Sequence, residues 1–519
     1  MTLGDLFEET PAAVGAVEVA SLAYDDRRVG PGTVFFCVRG LSRDGHAFAA
    51  GAVERGAAAL VVDHPLGTAV PEVVVPDVRA AMAPAAARLA GDPTATLQTV
   101  GITGTNGKTT TAFLVRALLE AAGRQTGLLG TVTQVIGGVE REAGRTTPEA
   151  IDLQPRFREM LDGGDQACVM EVSSHALSLG RADAIHWSAA IFTNLTQDHL
   201  DFHPTMEDYF LAKARLFADA GDAPKVVDVD DPYGRRLAGM HPDALTVGLE
   251  SADARFRATE VRTGLRGSSF VVGGRELSTP MPGRFNVMNA LQAYVTAVAL
   301  GVGEDVAAAA LAEAGRVPGR LEPIDGGQPF AVLVDYAHTP DSLHNVLLAA
   351  AGVLDADAAI RRGEGPSGGT ADVATGAVAG AGGGVPDADP SRGRSICVFG
   401  CGGDRDRGKR PLMGAIAATE SDVAIATSDN PRSEDPTAIL DAVVGGIDAS
   451  ATAVVERIED RRAAIERAIA LAGPRDIVLI TGKGHEQGQQ FADRTIPFDD
   501  REVAREALAA LATGGSLHA

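Results

Sequence analysis

The chain has 519 residues, of which 45% are hydrophobic and 22% charged, and carries a formal net charge of −23. That length suggests roughly three domains, each large enough to bury a core. The acidic balance argues against nonspecific binding to nucleic acid or an anionic membrane, and no apolar run is long enough to span a bilayer or open the chain as a secretory leader.

Residues 1–95 read as a small α/β unit, with a strand at 34–38, a helix at 47–55, a strand at 58–62 and an Asp92-Pro93 stop. Residues 96–315 alternate strands and helices, the mark of a parallel sheet with crossover helices; strands fall at 97–102, 167–171, 189–192 and 225–228. Residues 316–519 alternate again, with strands at 332–335, 396–399, 423–427 and 477–481, a second nucleotide-binding-like unit. Between 356 and 394 lies a Gly/Ala/Asp/Pro-rich stretch that cannot bury enough apolar surface to order itself, so a solvent loop is expected there, as is a loose tail after Ala512. The four cysteines, Cys37, Cys168, Cys397 and Cys401, read as reduced core or loop residues of a cytoplasmic protein; no second pair or His cluster completes a metal site at Cys397 and Cys401.

The most informative run is Gly101-Ile102-Thr103-Gly104-Thr105-Asn106-Gly107-Lys108-Thr109-Thr110, between the 97–102 strand and a helix expected over 110–122. Strand, glycine-rich turn, Lys-Thr, helix is a phosphate cradle: backbone N–H groups face the anion, Lys108 brings charge and the Thr109 hydroxyl can hold Mg²⁺. Ile102 stands where the strict pattern has Gly, so this is a variant P-loop. Other polar residues fall just after strands, where open parallel sheets bind ligands. Glu171 ends one strand and can serve Mg²⁺ directly or through water, although a solvated strand-end acid is the plain alternative. Asn194 to His203 holds two Asp and two His after another, which suggests a polar cleft.

The P-loop, Met170-Glu171-Val172-Ser173-Ser174-His175 and Asn194-Leu195-Thr196-Gln197-Asp198-His199-Leu200-Asp201 together resemble the Mur ligase family. The later runs Gly283 to Ala290, Gly319 to Glu322, Asp335 to Pro340, Gly400 to Asp406 and Thr481 to Glu486 match in order. The resemblance implies an α/β chain of three domains: nucleotide-sugar binding at 1–95, a P-loop ATPase at 96–315 and a Rossmann-like amino-acid-binding domain at 316–519. It implies a cytoplasmic, monomeric, ATP-dependent ligase of peptidoglycan synthesis, and so of cell-wall biogenesis, cell shape and division. Its substrates would be a UDP-N-acetylmuramoyl dipeptide, ATP and an amino acid.

The family activates a D-Glu side-chain carboxylate as an acyl phosphate, which needs charge neutralisation and alignment more than a protein nucleophile. By the resemblance, Gly104, Thr105, Asn106, Gly107, Lys108, Thr109 and Thr110 cradle the phosphates. Asn286 and Asn289 lie on the adenine side, and Arg320 and Asp335 reach ATP from the third domain, which implies domain closure. Mg²⁺ would be served by Thr109, Glu171, His199 and a carbamylated Lys213. Thr146, Thr147, Ser173 and Arg181 match contacts to the nucleotide-peptide. Two positions depart from the family. Asp26 stands where its members usually have Ser beside the uridine diphosphate; an Asp there repels the diphosphate unless turned away or compensated by Arg27 or Arg28. Leu179 stands where many have Gln. Asp429, Asn430, Pro431 and Arg432 resemble the form that goes with meso-diaminopimelate, whose second carboxylate suits the planar fork of an Arg. Arg405, Gly482 and Glu486 resemble further contacts to that amino acid. A lysine-adding member and a folylpolyglutamate-type ligase remain the alternatives.

Overall fold

The apolar runs sort into three principal sheets in a computed structural model that describes residues 1–7, 12–40, 43–362 and 392–513. The first sheet is parallel and four-stranded: Ser21–Ala23, Thr33–Phe36, Ala57–Val62 and Glu72–Val74, in that spatial order. The helix expected over 47–55 begins as a 3₁₀ turn, Gly45–Phe48, and continues as Ala49–Glu54.

The second sheet has nine strands, and Gln98–Thr103 runs between Trp187–Phe192 and Ala167–Glu171. Seven neighbouring strands are parallel; Thr133–Ile136 and Val139–Glu142 add an antiparallel edge. Successive side chains of a strand point to opposite faces, so two cores form. Val100, Ile102 and Val169 pack with Leu114, Val115 and Leu118 of helix Lys108–Ala121 and with Val287 and Leu291 of helix Arg284–Ala299. Cys168 and Met170 face the other way, onto Phe157 of helix Ala150–Asp162 and Tyr209, Phe210 and Leu216 of helix Met206–Asp219. Cover on both faces is why these strands read as unbroken apolar runs. A three-stranded antiparallel sheet, Thr259–Gly264, Gly267–Val272 and Arg275–Thr279, follows.

The third sheet runs Glu322–Pro323, Ala331–Asp335, Ile477–Thr481, Ser395–Phe399, Val423–Ala426 and Val454–Arg457, parallel except for its first, antiparallel edge. The loop expected over 356–394 needs correction at its start: helix Pro340–Arg361 carries the chain through Ala356 to Arg361. Leu347, Ala350 and Leu354 bury one side of that helix, and its apolar spacing continues to Ala358 before the glycines begin. At the far end Arg392 pairs with Asp355 and Asp422, and Arg394 with Asp476, so these residues are anchored to the sheet. The remainder of the stretch, 363–391, and the tail from 514 lie outside the described residues. The four cysteines are free and buried.

Candidate functional site

The ends of three neighbouring strands meet at the P-loop. Register places Ile102 beside Glu171 and Thr103 beside Phe192, so the residues after all three strands crowd one edge. Gly104 has φ +150°, and a Cβ there would collide with the Thr193 hydroxyl. Gly107 has φ +83°, and a Cβ there would collide with the Asn289 amide oxygen. Both positions therefore require glycine. The helix opens at Lys108, two residues earlier than the apolar period indicates, and no side chain caps its first turn. Lys108 Nζ donates to the carbonyls of Gly104 (2.8 Å) and Thr105 (2.9 Å). Thr105 lies against Thr196 and Tyr209, and Thr110 is buried in the first helical turn. Asn289 accepts from Thr111 at 3.3 Å and donates to Asn286, which donates to the Pro282 carbonyl. The two asparagines thus form one buried wall behind the P-loop.

Glu171 is gripped from several sides. The Thr109 hydroxyl donates to it at 3.0 Å, the Thr131 backbone N–H at 2.8 Å and the Thr131 hydroxyl at 3.1 Å. Arg320, from beyond the central sheet, donates to the same Thr109 hydroxyl at 3.1 Å and stacks 4.6 Å from the Tyr336 ring centre. Asp335 accepts from the N–H groups of Leu321 and Ala337, so it shapes the Arg320 turn; burial raises its pKa, with Arg320 opposing. His199 sits at φ +55° beside Asp198 (3.5 Å). Burial lowers the His199 pKa, with the Asp198 charge opposing, and Asp198 is held ionised against burial by its neighbours, Lys409 and the His199 backbone N–H among them.

Lys213 is 1% exposed and donates to the Gly104 carbonyl at 2.8 Å, so it lies directly under the P-loop. Burial, then the Lys108 charge, push its pKa well below the ordinary value, with Asp198 opposing. A neutral imidazole, a carboxylate and a hydroxyl suit a hard divalent cation, and a neutral buried amine is the form that can add CO₂.

Beyond the third sheet's strands, Asp429 to Arg432 meets Gly482 to Glu486. Asn430 donates to Glu486 at 2.8 Å, and Lys483 donates to both Asn430 (3.0 Å) and Glu486 (2.9 Å). Burial raises the Asp429 pKa, but Lys483 and then Arg461 outweigh it and hold the carboxylate ionised. Pro431 is buried; Arg432, at φ +51°, donates to the Gly403 carbonyl at 2.7 Å. Arg405 is exposed and donates to the Asp404 carbonyl at 3.1 Å.

The nucleotide-peptide residues form a separate corner. Thr146 shares a hydroxyl contact with Thr131 (3.0 Å), Thr147 donates to the Glu171 carbonyl (2.9 Å) and accepts from the Ser173 N–H (3.1 Å). Arg181 pairs with Glu149 at 2.9 Å, and Arg79 of the first unit reaches the same carboxylate at 3.2 Å. Asp26 is compensated, but not by the neighbours expected: its partner is Arg55 (3.0 Å), because Arg27 folds back onto Asp25 and Arg28 reaches Asp152.

Three side chains escaped the sequence reading. Thr131 holds Glu171, and its position just past the strand Thr126–Leu129 at the same sheet edge was the available signal. Lys483 lies inside the quoted Thr481 to Glu486 run. Asp341 accepts from Asn106 of the P-loop at 2.8 Å, a bond spanning 235 residues of sequence that no local pattern announces.

Comparison with known proteins finds relatives over nearly the whole length of the chain. Residues 18–89 match the description "Mur ligase family, catalytic domain", residues 102–297 "Mur ligase middle domain" and residues 378–484 "Mur ligase, glutamate ligase domain". The chain is 41% identical over 504 residues to a UDP-N-acetylmuramoyl-L-alanyl-D-glutamate–2,6-diaminopimelate ligase of Syntrophomonas wolfei, covering 95% of each. It is 43% identical to the protein of the same name from Streptomyces coelicolor, covering 95% of this chain and 93% of that one. A solved structure of a ligase with that name superposes with a TM-score of 0.67 at 29% identity, covering 99% of both chains. The MurF ligase of Thermotoga maritima in complex with ADP shares the fold, with a TM-score of 0.60 at 16% identity, covering 95% of this chain and 97% of that one. The chain belongs to the Mur ligase family.

Proposed function

We propose that this protein is the ATP-dependent ligase that joins meso-2,6-diaminopimelate to UDP-N-acetylmuramoyl-L-alanyl-D-glutamate through an acyl phosphate, in peptidoglycan synthesis. Similarity over nearly the full length to relatives of that name, at 41% and 43% identity, supports the reading, and so does the juxtaposition of P-loop, Glu171 and Arg320. The single observation that carries it is this: Thr109 of the P-loop bonds to Glu171 on one side and to Arg320 on the other. One hydroxyl therefore ties a phosphate cradle to a carboxylate and to a cation from the third unit.

The partition at residues 95 and 315 is part of this reading. The P-loop N–H groups and Lys108 receive the β- and γ-phosphates, and Arg320 faces the charge that develops on the transferred phosphoryl group. Asn286 and Asn289 border the adenine, and Asp335 fixes the Arg320 turn. Thr109, Glu171, His199 and carbamylated Lys213 would hold Mg²⁺, which supplies charge neutralisation when bound. Thr146, Thr147, Ser173 and Arg181 hold the nucleotide-peptide, with Asp26 turned onto Arg55. Arg432 takes the far-end carboxylate of the amino acid, Gly482 and Glu486 hold that same end, and Arg405, Asp429 and Asn430 make further contacts to it. The protein acts in the cytoplasm as a monomer.

An amine panel tests this. Purified protein with ATP and the UDP-sugar dipeptide should release ADP with diaminopimelate and much less with lysine. Preference for lysine would move it to the lysine-adding branch, and turnover only with a folate and glutamate would overturn the reading.

A further inference from the structure

Behind the amino-acid site lies a charged pair that the reaction itself does not use. Arg461 opens helix Arg461–Leu471, Asp500 opens helix Asp500–Ala512, and both side chains are 0% exposed. Arg461 Nε and Nη2 donate to the two Asp500 oxygens at 2.8 and 2.6 Å, and Nη2 donates also to the Thr481 carbonyl at 2.8 Å. The third guanidinium nitrogen, Nη1, is buried with no hydrogen-bond partner among the described residues. As a device for holding two helices together this is poor, since well-packed apolar residues do that as well or better without the desolvation penalty.

Its position gives it another use. Thr481 ends the strand Ile477–Thr481, and Gly482 follows at φ +114°. A Cβ on Gly482 would lie 2.6 Å from Asp429 Oδ2 and 3.7 Å from Arg461 Nη2. Gly482 therefore sits beside both the Asp429 carboxylate and the Arg461 guanidinium, whose charge helps hold Asp429 ionised. On the far side Lys483 bridges Asn430 and Glu486. Charge alternates through the wall: Asp500, Arg461, Asp429, Lys483, Glu486.

We infer that the buried Arg461–Asp500 pair is a positioning device for the incoming amino acid. From behind, it fixes the Thr481–Gly482 backbone and the Asp429 carboxylate, the two arms between which the amine-bearing substrate lies. This rests on the proposed reading of 429–432 and 482–486 as the amino-acid site. Neither residue touches substrate, so both act through Asp429 and Gly482.

The test uses the charge-free pair Arg461→Met with Asp500→Leu, and separately Asp500→Asn, in the full-length protein. Melting temperature is measured with KM for the amine, for ATP and for the UDP-sugar substrate, using whichever amine the wild type turns over. The double variant should melt near the wild type, with the amine KM raised by about tenfold or more, as expected of arms displaced by a fraction of an ångström, and the other two KM values within about twofold. A folded double variant with unchanged amine KM overturns the inference. If the double variant does not fold, Asp500→Asn decides: an amine KM raised alone supports positioning, and no change, or an equal change in all three, overturns it. Failure of diaminopimelate in the wild type would count against the proposed substrate and not against this pair.

Discussion

Lys213 concentrates the chemistry at the scale of a single residue. Within its helix it reads as an ordinary lysine, yet it is buried beneath the P-loop with its amine on the Gly104 carbonyl. Lys213→Ala is expected to nearly abolish turnover, and added short-chain carboxylates to restore part of it by refilling a ligand position. Near-normal activity in that variant, or rescue by amines alone, removes the carbamate role. Arg432→Ala should raise KM for diaminopimelate and leave that for ATP unchanged, since leaving a carboxylate without its partner costs about 2–5 kcal/mol; steady-state kinetics decide it. His203 carries a pH signature. It bonds to Ser174 and stacks on Tyr209, and burial lowers its pKa from 6.5 to about 4. The unfolded chain therefore binds the extra proton between those values. The stability His203 contributes is complete above pH 6.5 and is lost as pH falls toward 4. The stability difference between wild type and His203→Gln should then shrink from pH 7.5 to 5, by at most roughly 1.4 kcal/mol per pH unit. A constant gap in denaturant titrations would contradict it.

At the scale of elements, the strands were legible because each is an apolar run covered on both faces. Ala167–Glu171, Lys225–Asp228 and Ile477–Thr481 fall where the sequence places them. Ends that depend on caps were less legible: helix Lys108–Ala121 starts at a glycine N-cap rather than at its first apolar residue, and helix Pro340–Arg361 runs into a composition that reads as loop. The turn between strand and helix makes a sharp demand on Gly104. Gly104→Ala would set a Cβ into the Thr193 hydroxyl at a φ of +150°. It should weaken nucleotide binding at least tenfold, measured by ADP titration, while the helix and the sheet keep the fold; unchanged affinity would show that the loop can yield.

At the scale of the whole molecule, the motifs marked the candidate residues but not the contacts that bring them together. Asn106 with Asp341, Thr109 with Arg320 and Gln197 with Asp406 join residues more than 200 positions apart, and only the packing of the second unit on the third brings them together. Asp26 teaches the same point, because its partner Arg55 is close in space and not in the adjoining turn. These bonds place the third unit's Arg320 on the P-loop's own threonine, the geometry an acyl-phosphate ligase needs when phosphate and amine arrive from different units. The most direct measurement follows one oxygen. With ATP, diaminopimelate and a UDP-sugar dipeptide labelled with ¹⁸O in its D-Glu side-chain carboxylate, the account predicts the tripeptide product and one ¹⁸O in the released inorganic phosphate. Unlabelled phosphate alongside product, or no product with diaminopimelate where another amine gives it, would contradict the account.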